Sequence, residues 1–483
     1  MSSPTYQEMK TINVGTLRTL YENTGLELFT KPKVTPLGIL QVFSFTKLAM
    51  YIFRTTPVVT MRDSTHMYLY DNETGEYLMN GLSRIESAVQ EILGEGCTKK
   101  IKSDVVDHIK TLSYRDRETA TLPLNYIPIA NGILRVPPDG GNWDFSKIEL
   151  IENSPDHFVI NRITTPYILG ATCPEWLNIL IRTLPDPKDR QKLQEYFGYS
   201  LLRDPRYHKA LVLQGPPRTG KSTIMDILRT MLGTKNCSSV PMHDLTDKFR
   251  VTMLYGKMAN ILGDMAPREI TDPSKFKQMV GGDAVPMERK YEMPFNTVLY
   301  NMWVWAVNDD LPPFKYDDDA VWARLDLILF RGKQYFLGDP ATDPALKYKL
   351  YQELPGILIW SLAGLARLMK QKHFTNGLDK VAVRTLWHQL SDMLGQFMYS
   401  NYVYLDKDAT CTKDELYEAY VAYCIFNSIT PWTKEKIGRE ISSRFKGKIH
   451  SIYPGKKGEQ VKSWKGVGIP ISESDEEIGG MFR

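Results

Sequence analysis

The most constraining stretch of this 483-residue chain is Gly215-Pro216-Pro217-Arg218-Thr219-Gly220-Lys221-Ser222, which fits GxxxxGK[ST]. A short apolar run, Leu211-Val212-Leu213, precedes it. Behind it Ile224, Ile227, Leu228 and Met231 recur at i, i+3, i+4 and i+7, one face of a helix that packs under a sheet, and Gly233 supplies the stop. Strand, loop and helix in that order place the chain in the α/β class. Glycines at 215 and 220 let backbone N–H groups turn inward and, with the positive end of the helix, bind phosphate oxygens. Gly215 through Thr223 is thus the expected triphosphate cradle, with Lys221 reaching the β and γ phosphates and Ser222 offering a hydroxyl to Mg2+.

A phosphate loop alone admits kinases, GTPases, transport ATPases and ring motors; the next hundred residues narrow the choice. Met258-Ala259-Asn260-Ile261-Leu262 reads as a short buried strand, and Asp264 lies just past its carboxyl end, where ligands bind in α/β sheets. A carboxylate there holds the Mg2+ shell or polarises the attacking water. Glu269, five positions on, is a second candidate, with a solvated loop acid as the plainer reading. Lys277 and the turn Gly281-Gly282-Asp283 follow, then two strand-like pieces between Ala284 and Phe295. Their tip, Arg289, Lys290 and Tyr291, suits single-stranded nucleic acid, with cations on phosphate and the ring stacking or packing. A solvated charged tip is the plainer alternative.

Leu299 to Val307 is a long apolar and aromatic run, expected as a central buried strand, and it ends at Asn308. That amide either hydrogen-bonds a γ-phosphate or lytic water or forms the turn ahead of Pro312-Pro313. Arg324 comes last, after Asp317-Asp318-Asp319-Ala320-Val321-Trp322-Ala323 and before the apolar strand Leu325 to Phe330. It is placed either as a finger for a neighbouring subunit's site, stabilising charge on the transferring phosphoryl group, or as a salt-bridged surface residue.

In this order the residues resemble superfamily III helicases, the AAA+ ring motors of small DNA viruses, phages and plasmids, and most closely the poxvirus-type primase-helicase branch. Lys277 to Asp283, Asn308 and Asp318 to Arg324 match position by position. Upstream, Asn131-Gly132-Ile133-Leu134, Ser154-Pro155, Cys173-Pro174 and Glu195-Tyr196-Phe197-Gly198-Tyr199 look like landmarks of the preceding domain, and the likeness runs on through Thr412 to Tyr420. Ala323 stands where many relatives carry a second arginine, and Asp264 where most have Glu, which favours a metal or water-positioning role over a general base. The resemblance implies ATP and Mg2+ as cofactors, Lys221, Asp264, Asn308 and Arg324 as catalytic residues, and Ser222 and Asp264 at the metal. It further implies a homo-oligomeric ring, a hexamer by analogy, moving 3′ to 5′ on single-stranded or forked DNA, with a separate primase or initiator as a further partner.

Five scattered cysteines, with no CxxC pair, indicate neither a zinc site nor a disulfide framework, and a reducing compartment fits best. No signal-peptide pattern opens the chain and no apolar run reaches about 18 residues, so no membrane association and a cytoplasmic location are expected. A net charge of +4 is too small to indicate nucleic acid by itself. The distribution says more, because Arg444, Lys446, Lys448, Lys456, Lys457, Lys462 and Lys465 concentrate before the acidic tail Glu473 to Glu477. There Thr412 and Glu415 form a capping box for a helix to about Tyr423, Thr433 caps a second helix to Phe445, and Lys448 to Tyr453 with Gln460 to Val467 reads as a hairpin. That is a winged-helix pattern, fit either for duplex DNA or for docking on the motor or a partner protein.

The expected architecture is therefore an AAA+ P-loop ATPase core with an α-rich N-terminal region and a C-terminal winged-helix domain. Its boundaries are an α-helical segment over 1–55, with Leu37 to Phe53 as amphipathic helix; a collar or partner-binding domain over 56–205; the motor over 206–375; the winged helix over 385–470; and a flexible tail over 471–483. Met67 to Tyr70 and Tyr77 to Met79 read as a hairpin whose turn chemistry accounts for Asp71 and Glu73, and no primase domain is expected. The functional expectation is a replicative DNA helicase. The alternatives are an origin-binding initiator or a protein-remodelling ATPase without unwinding.

Overall fold

The computed structural model describes residues 29–35, 38–140, 142–288, 294–308, 310–334, 343–391, 393–427, 430–445, 447–455 and 460–470. Its contacts divide the chain into two units: residues 1–169 with 286–296, and residues 170–285 with 297–483.

The second unit is built on a parallel sheet of five strands in the order Cys237–Ser238, Ala259–Leu262, Met302–Val307, Ala210–Gln214, Leu325–Leu329. We call the last four the acid, amide, loop and arginine strands after the residues they carry. Every residue of the amide strand is buried, as its uninterrupted apolar run requires of a central parallel strand. The loop strand continues into the helix Lys221–Leu232, which buries Ile224, Ile227, Leu228 and Met231 and stops at Gly233 with φ +95°. Burying each such side chain contributes roughly 1.5–3 kcal/mol, which fixes the face the helix presents.

Two helices upstream of residue 206 belong to this unit, so the division falls at 169/170. Helix Pro187–Tyr199 lies so close to helix Leu354–Gln371 that a Cβ on Gly198 would stand 2.4 Å from Leu365 N, and one on Gly364 would stand 2.3 Å from Gln194 O. The fully buried Glu195 accepts from Arg367 Nε at 2.6 Å and from Thr375 N at 2.7 Å. Glu195 to Tyr199 is therefore a packing signature. Buried Lys192 reaches Asp326 of the arginine strand at 3.0 Å.

At the C-terminal end, strands Thr410–Thr412, Ser463–Lys465 and His450–Ile452 form an antiparallel sheet in that order, beside helices Lys413–Phe426 and Lys434–Arg444. The capping box forms, with Thr412 N donating to Glu415 and Glu415 N donating to Thr412 Oγ1, and Thr433 accepts from Lys436 N. Leu416, Tyr420, Ile437, Ile441, Phe445 and Trp464 share the module's core. The predicted hairpin is present; its third strand is too short to carry an alternating pattern.

The first unit corrects two expectations. It is mixed α/β rather than α-rich, with a four-stranded sheet ordered Glu76–Leu78, Met67–Asp71, Val58–Met61, Tyr114–Arg115 and a three-stranded sheet ordered Glu149–Ile151, Gly132–Arg135, Tyr126–Ile129. Helices Gly81–Leu93 and Lys99–Ser113 accompany them. Nor is Leu37 to Phe53 one helix: Thr30–Thr35 and Gly38–Phe43 pair antiparallel, and the helix runs from Phe45 to Thr55. Helical periodicity holds only from Phe45, where Leu48, Ala49 and Ile52 are buried at i+3, i+4 and i+7. The turn at Asp71 behaves as its composition requires, Asp71 Oδ1 accepting from Glu73 N at 3.0 Å.

Among the described residues no helix is long and apolar enough to cross a membrane. All five cysteines are free. Burial pushes the Cys173 thiol up to about 12 and those of Cys237 and Cys411 up to about 11, so these sulfurs stay protonated and unreactive at neutral pH.

Candidate functional site

The glycine-rich loop leaves the carboxyl end of the loop strand and is closed in from both sides. A Cβ on Gly215 would stand 2.4 Å from Phe330 O, and one on Gly220, at φ +99°, would stand 2.6 Å from Thr183 Cγ2. Those two approaches are why glycine is needed at both ends. Arg218 also takes a left-handed φ of +65°, which costs a side-chain-bearing residue about 1 kcal/mol or more. Pro216, Pro217 and Arg218 are exposed along the outer rim, while buried Thr219 ties back to Pro216 O at 2.9 Å. Lys221 is 4% exposed, and its ammonium donates to Gly215 O at 2.5 Å and Pro216 O at 2.7 Å. Ser222 is exposed beside it and Thr223 is half-buried. The loop thus gathers an ammonium, two hydroxyls and the backbone N–H groups of a helix start, a donor set for phosphate and a hard cation.

Parallel register brings two more predicted residues to this edge. The acid strand ends at Leu262 opposite Trp305, so Asp264 and Asn308 emerge together, and Asn308 Nδ2 lies 3.5 Å from Asp264 Oδ1. Gly215 N donates to Val307 O at 3.3 Å, which seats the loop against the same strand end. Asp264 is exposed. Glu269, also exposed, stays in the loop beyond.

Arg324 stands at the other end of the sheet. Ala210 pairs with Leu325 and Gln214 with Leu329, so Arg324 precedes the arginine strand where the loop strand begins, about 20 Å along the strand from Gly215. Its Nη1 donates to Ala320 O at 2.8 Å, and Nε is buried without a hydrogen-bond partner among the described residues. Gly281 makes room for this guanidinium, since a Cβ there would stand 3.0 Å from Nη2.

The acidic run before Arg324 is committed to pairing. Lys277 donates to Asp318 at 2.5 Å, joining the two matched motif segments, and Asp318 caps the short helix Asp319–Trp322 through Ala320 N. Asp317 accepts from Lys448 Nζ and from Trp322 Nε1, both at 2.5 Å. Burial alone would raise the Asp317 carboxyl, but the His388 ring 3.9 Å away and the bonds from Lys448 and Trp322 outweigh it and hold the group far below the usual carboxylate range. Burial likewise opposes, and the Lys277 bond reverses, the shift at Asp318, which is also lowered.

With this geometry in view, a family described as being of unknown function, DUF5906, matches residues 213–324, from the loop strand to Arg324. No curated protein matches the chain. Among solved structures, an A form apo structure of the NrS-1 C-terminal region aligns over 88% of this chain and 98% of that one, at 12% identity and a TM-score of 0.50. Another apo structure of the same region has 12% identity, the same coverage and a TM-score of 0.47. The first likeness is one of fold.

Arg289, Lys290 and Tyr291 lie outside the described residues, although the flanking strands Ala284–Met287 and Phe295–Val298 pair as a hairpin. Within the first unit Phe295 meets His66 edge-on at 5.6 Å and the Arg117 guanidinium at 4.9 Å. Sequence reasoning missed Thr183, which closes on Gly220 from a helix outside the motif, and exposed Arg331, which follows Phe330 on the loop's other flank. It also missed the tethering of Asp226 in the loop helix to Tyr351 Oη at 2.8 Å and Lys347 at 3.1 Å. None of these carries a local signal, because each depends on which elements the fold brings to the loop.

Proposed function

We propose that this chain is a replicative DNA helicase of the superfamily III class, an AAA+ motor that hydrolyses ATP with Mg2+ in a homo-oligomeric ring. The observation that carries this reading is the polarity of the sheet. The loop, Asp264 and Asn308 share one edge while Arg324 stands at the other, out of reach of its own loop, which supports a role at a neighbour's. In that role Lys221 and the loop amides hold the β and γ phosphates, Ser222 and Asp264 hold the metal, Asn308 orients the lytic water, and Arg324 neutralises charge across the interface. The Gly281-Gly282-Asp283 turn and the hairpin after it supply the DNA-contacting tip, with Arg289 and Lys290 on phosphate and Tyr291 against bases. The fold that the chain shares with the NrS-1 C-terminal region is compatible with this reading. A separate primase or initiator is the partner such a motor needs.

The C-terminal module fits a winged helix that docks rather than one that reads duplex DNA. Lys448 is spent on Asp317, Arg444 on Glu440 at 2.9 Å, and Lys465 lies 4.0 Å from Asp408. Strand displacement on a forked duplex tests the whole reading. The wild-type chain unwinds with ATP, Lys221→Ala loses hydrolysis on the order of 100-fold or more, and Arg324→Ala subunits mixed with Lys221→Ala subunits recover part of it. ATP hydrolysis indifferent to DNA, with no displacement, would sink the helicase assignment in favour of a remodelling ATPase. Origin binding without unwinding would identify an initiator.

A further inference from the structure

We propose that Asp317 is a positioning residue for Arg324, and that docking of the C-terminal module through Lys448 sets how that arginine serves the neighbouring subunit; this rests on the trans-acting role argued above. Three consecutive carboxylates fan out from one turn to three elements. Asp318 takes Lys277 from the helix ahead of Gly281-Gly282-Asp283 at 2.5 Å. Asp319 takes Lys380 at 2.6 Å and Arg384 at 3.3 Å from the helix Lys380–Ser391. Asp317 takes Lys448, which enters from the C-terminal module just before the strand His450–Ile452.

What Asp317 does for the arginine runs through Trp322. Its carboxylate accepts the indole N–H, and the ring is fully buried against Phe314 at 5.0 Å, His388 at 5.5 Å and Trp387 at 6.0 Å. Trp322 ends the four-residue helix whose Ala320 carbonyl holds Arg324 Nη1. So brief a helix has no orientation of its own, because nucleating a single turn is unfavourable and its direction comes from what grips it. The guanidinium is held at one donor, while its buried Nε finds no hydrogen-bond partner among the described residues. Its aim is therefore the aim of the short helix. Withdrawing Lys448 leaves the Asp317 carboxylate, whose side chain is only 13% exposed, with the Arg384 guanidinium at 3.8 Å and the His388 ring at 3.9 Å as its remaining basic neighbours among the described residues. Both are more distant than the lost ammonium, so the grip on Trp322 loosens and the arginine swings with it. A ligand or partner on the module that alters its docking changes hydrolysis in the adjacent subunit.

The test uses the full chain, with ATP hydrolysis measured on forked DNA and ring assembly followed by light scattering. Lys448→Ala and Asp317→Asn each lower kcat about tenfold with KM for ATP nearly unchanged, the pattern of a lost transition-state contact. Lys448→Arg keeps most of the wild-type kcat. Lys448→Ala subunits mixed with Lys221→Ala subunits exceed the sum of the two alone, because one defect lies on the arginine side of an interface and the other on the loop side. If Arg324→Ala shows the loss and the complementation while Lys448→Ala keeps wild-type kcat, this inference is overturned and the trans-acting arginine stands. A Lys448→Ala loss that Lys221→Ala subunits do not relieve also overturns it, by marking a general structural defect. Full activity in Arg324→Ala itself removes the trans-acting reading and this inference with it.

Discussion

Lys192 and Asp326 form a charge pair with almost no solvent access, at 1% and 0% side-chain exposure, fastening helix Pro187–Tyr199 to the arginine strand. Lys192 also donates to Leu327 O at 3.1 Å, and Asp326 accepts from Leu327 N and from Tyr196 Oη. Every strong group in the network is thereby satisfied, which is what lets two charges remain in an apolar core. Lys192→Met fills the space but leaves the carboxylate unpaired, so it should cost about 3–5 kcal/mol in urea denaturation. A loss below about 1 kcal/mol would mean that Asp326 is held by its remaining partners alone.

At the scale of elements, the close pair Pro187–Tyr199 and Leu354–Gln371 depends on one glycine from each helix facing the other's backbone. Gly198→Ala drives a methyl group to within 2.4 Å of Leu365 N and 2.6 Å of Ser361 O. Backbone cannot yield as a flexible side chain does, so the helices must separate; the expected destabilisation is about 2–3 kcal/mol, read as a lowered Tm. An unchanged Tm would show that the two helices part without cost. The same crowding explains why Glu195 to Tyr199 reads as a landmark. The Gly38–Phe43 strand teaches the opposite lesson. Its apolar residues continue into a true helix, and only hydrogen bonding to Thr30–Thr35 separates the two.

For the second unit as a whole, the ion pairs around Asp317 give acid sensitivity a definite sign. Its folded pKa is depressed, so its contribution is fully present above the unfolded value of about 3.9 and is lost as pH falls toward the folded one. The Tm difference between wild type and Asp317→Asn should hold constant from pH 7 to pH 5 and shrink only below about pH 4. A difference that closes between pH 7 and pH 5 would show that the Asp317 carboxylate is not its source.

The sequence by itself determined the loop, its helix, the acid and amide strands and the capped C-terminal helices, because each rests on short-range rules: glycine conformations, 3.6-residue periodicity, an unbroken apolar run and a capping box. It also placed Asp264 and Asn308 as candidates. Only the tertiary structure decided that they meet, since 44 residues separate them and parallel register alone brings two strand ends to one edge. The same holds for Arg324, whose distance from its own loop follows from strand direction and not from any residue beside it. Asp317 and Lys448 lie 131 positions apart, and a salt bridge between two such residues leaves no local pattern. Long-range charge pairing and backbone crowding are properties of the packed chain, and at those points this fold added what the sequence could not express.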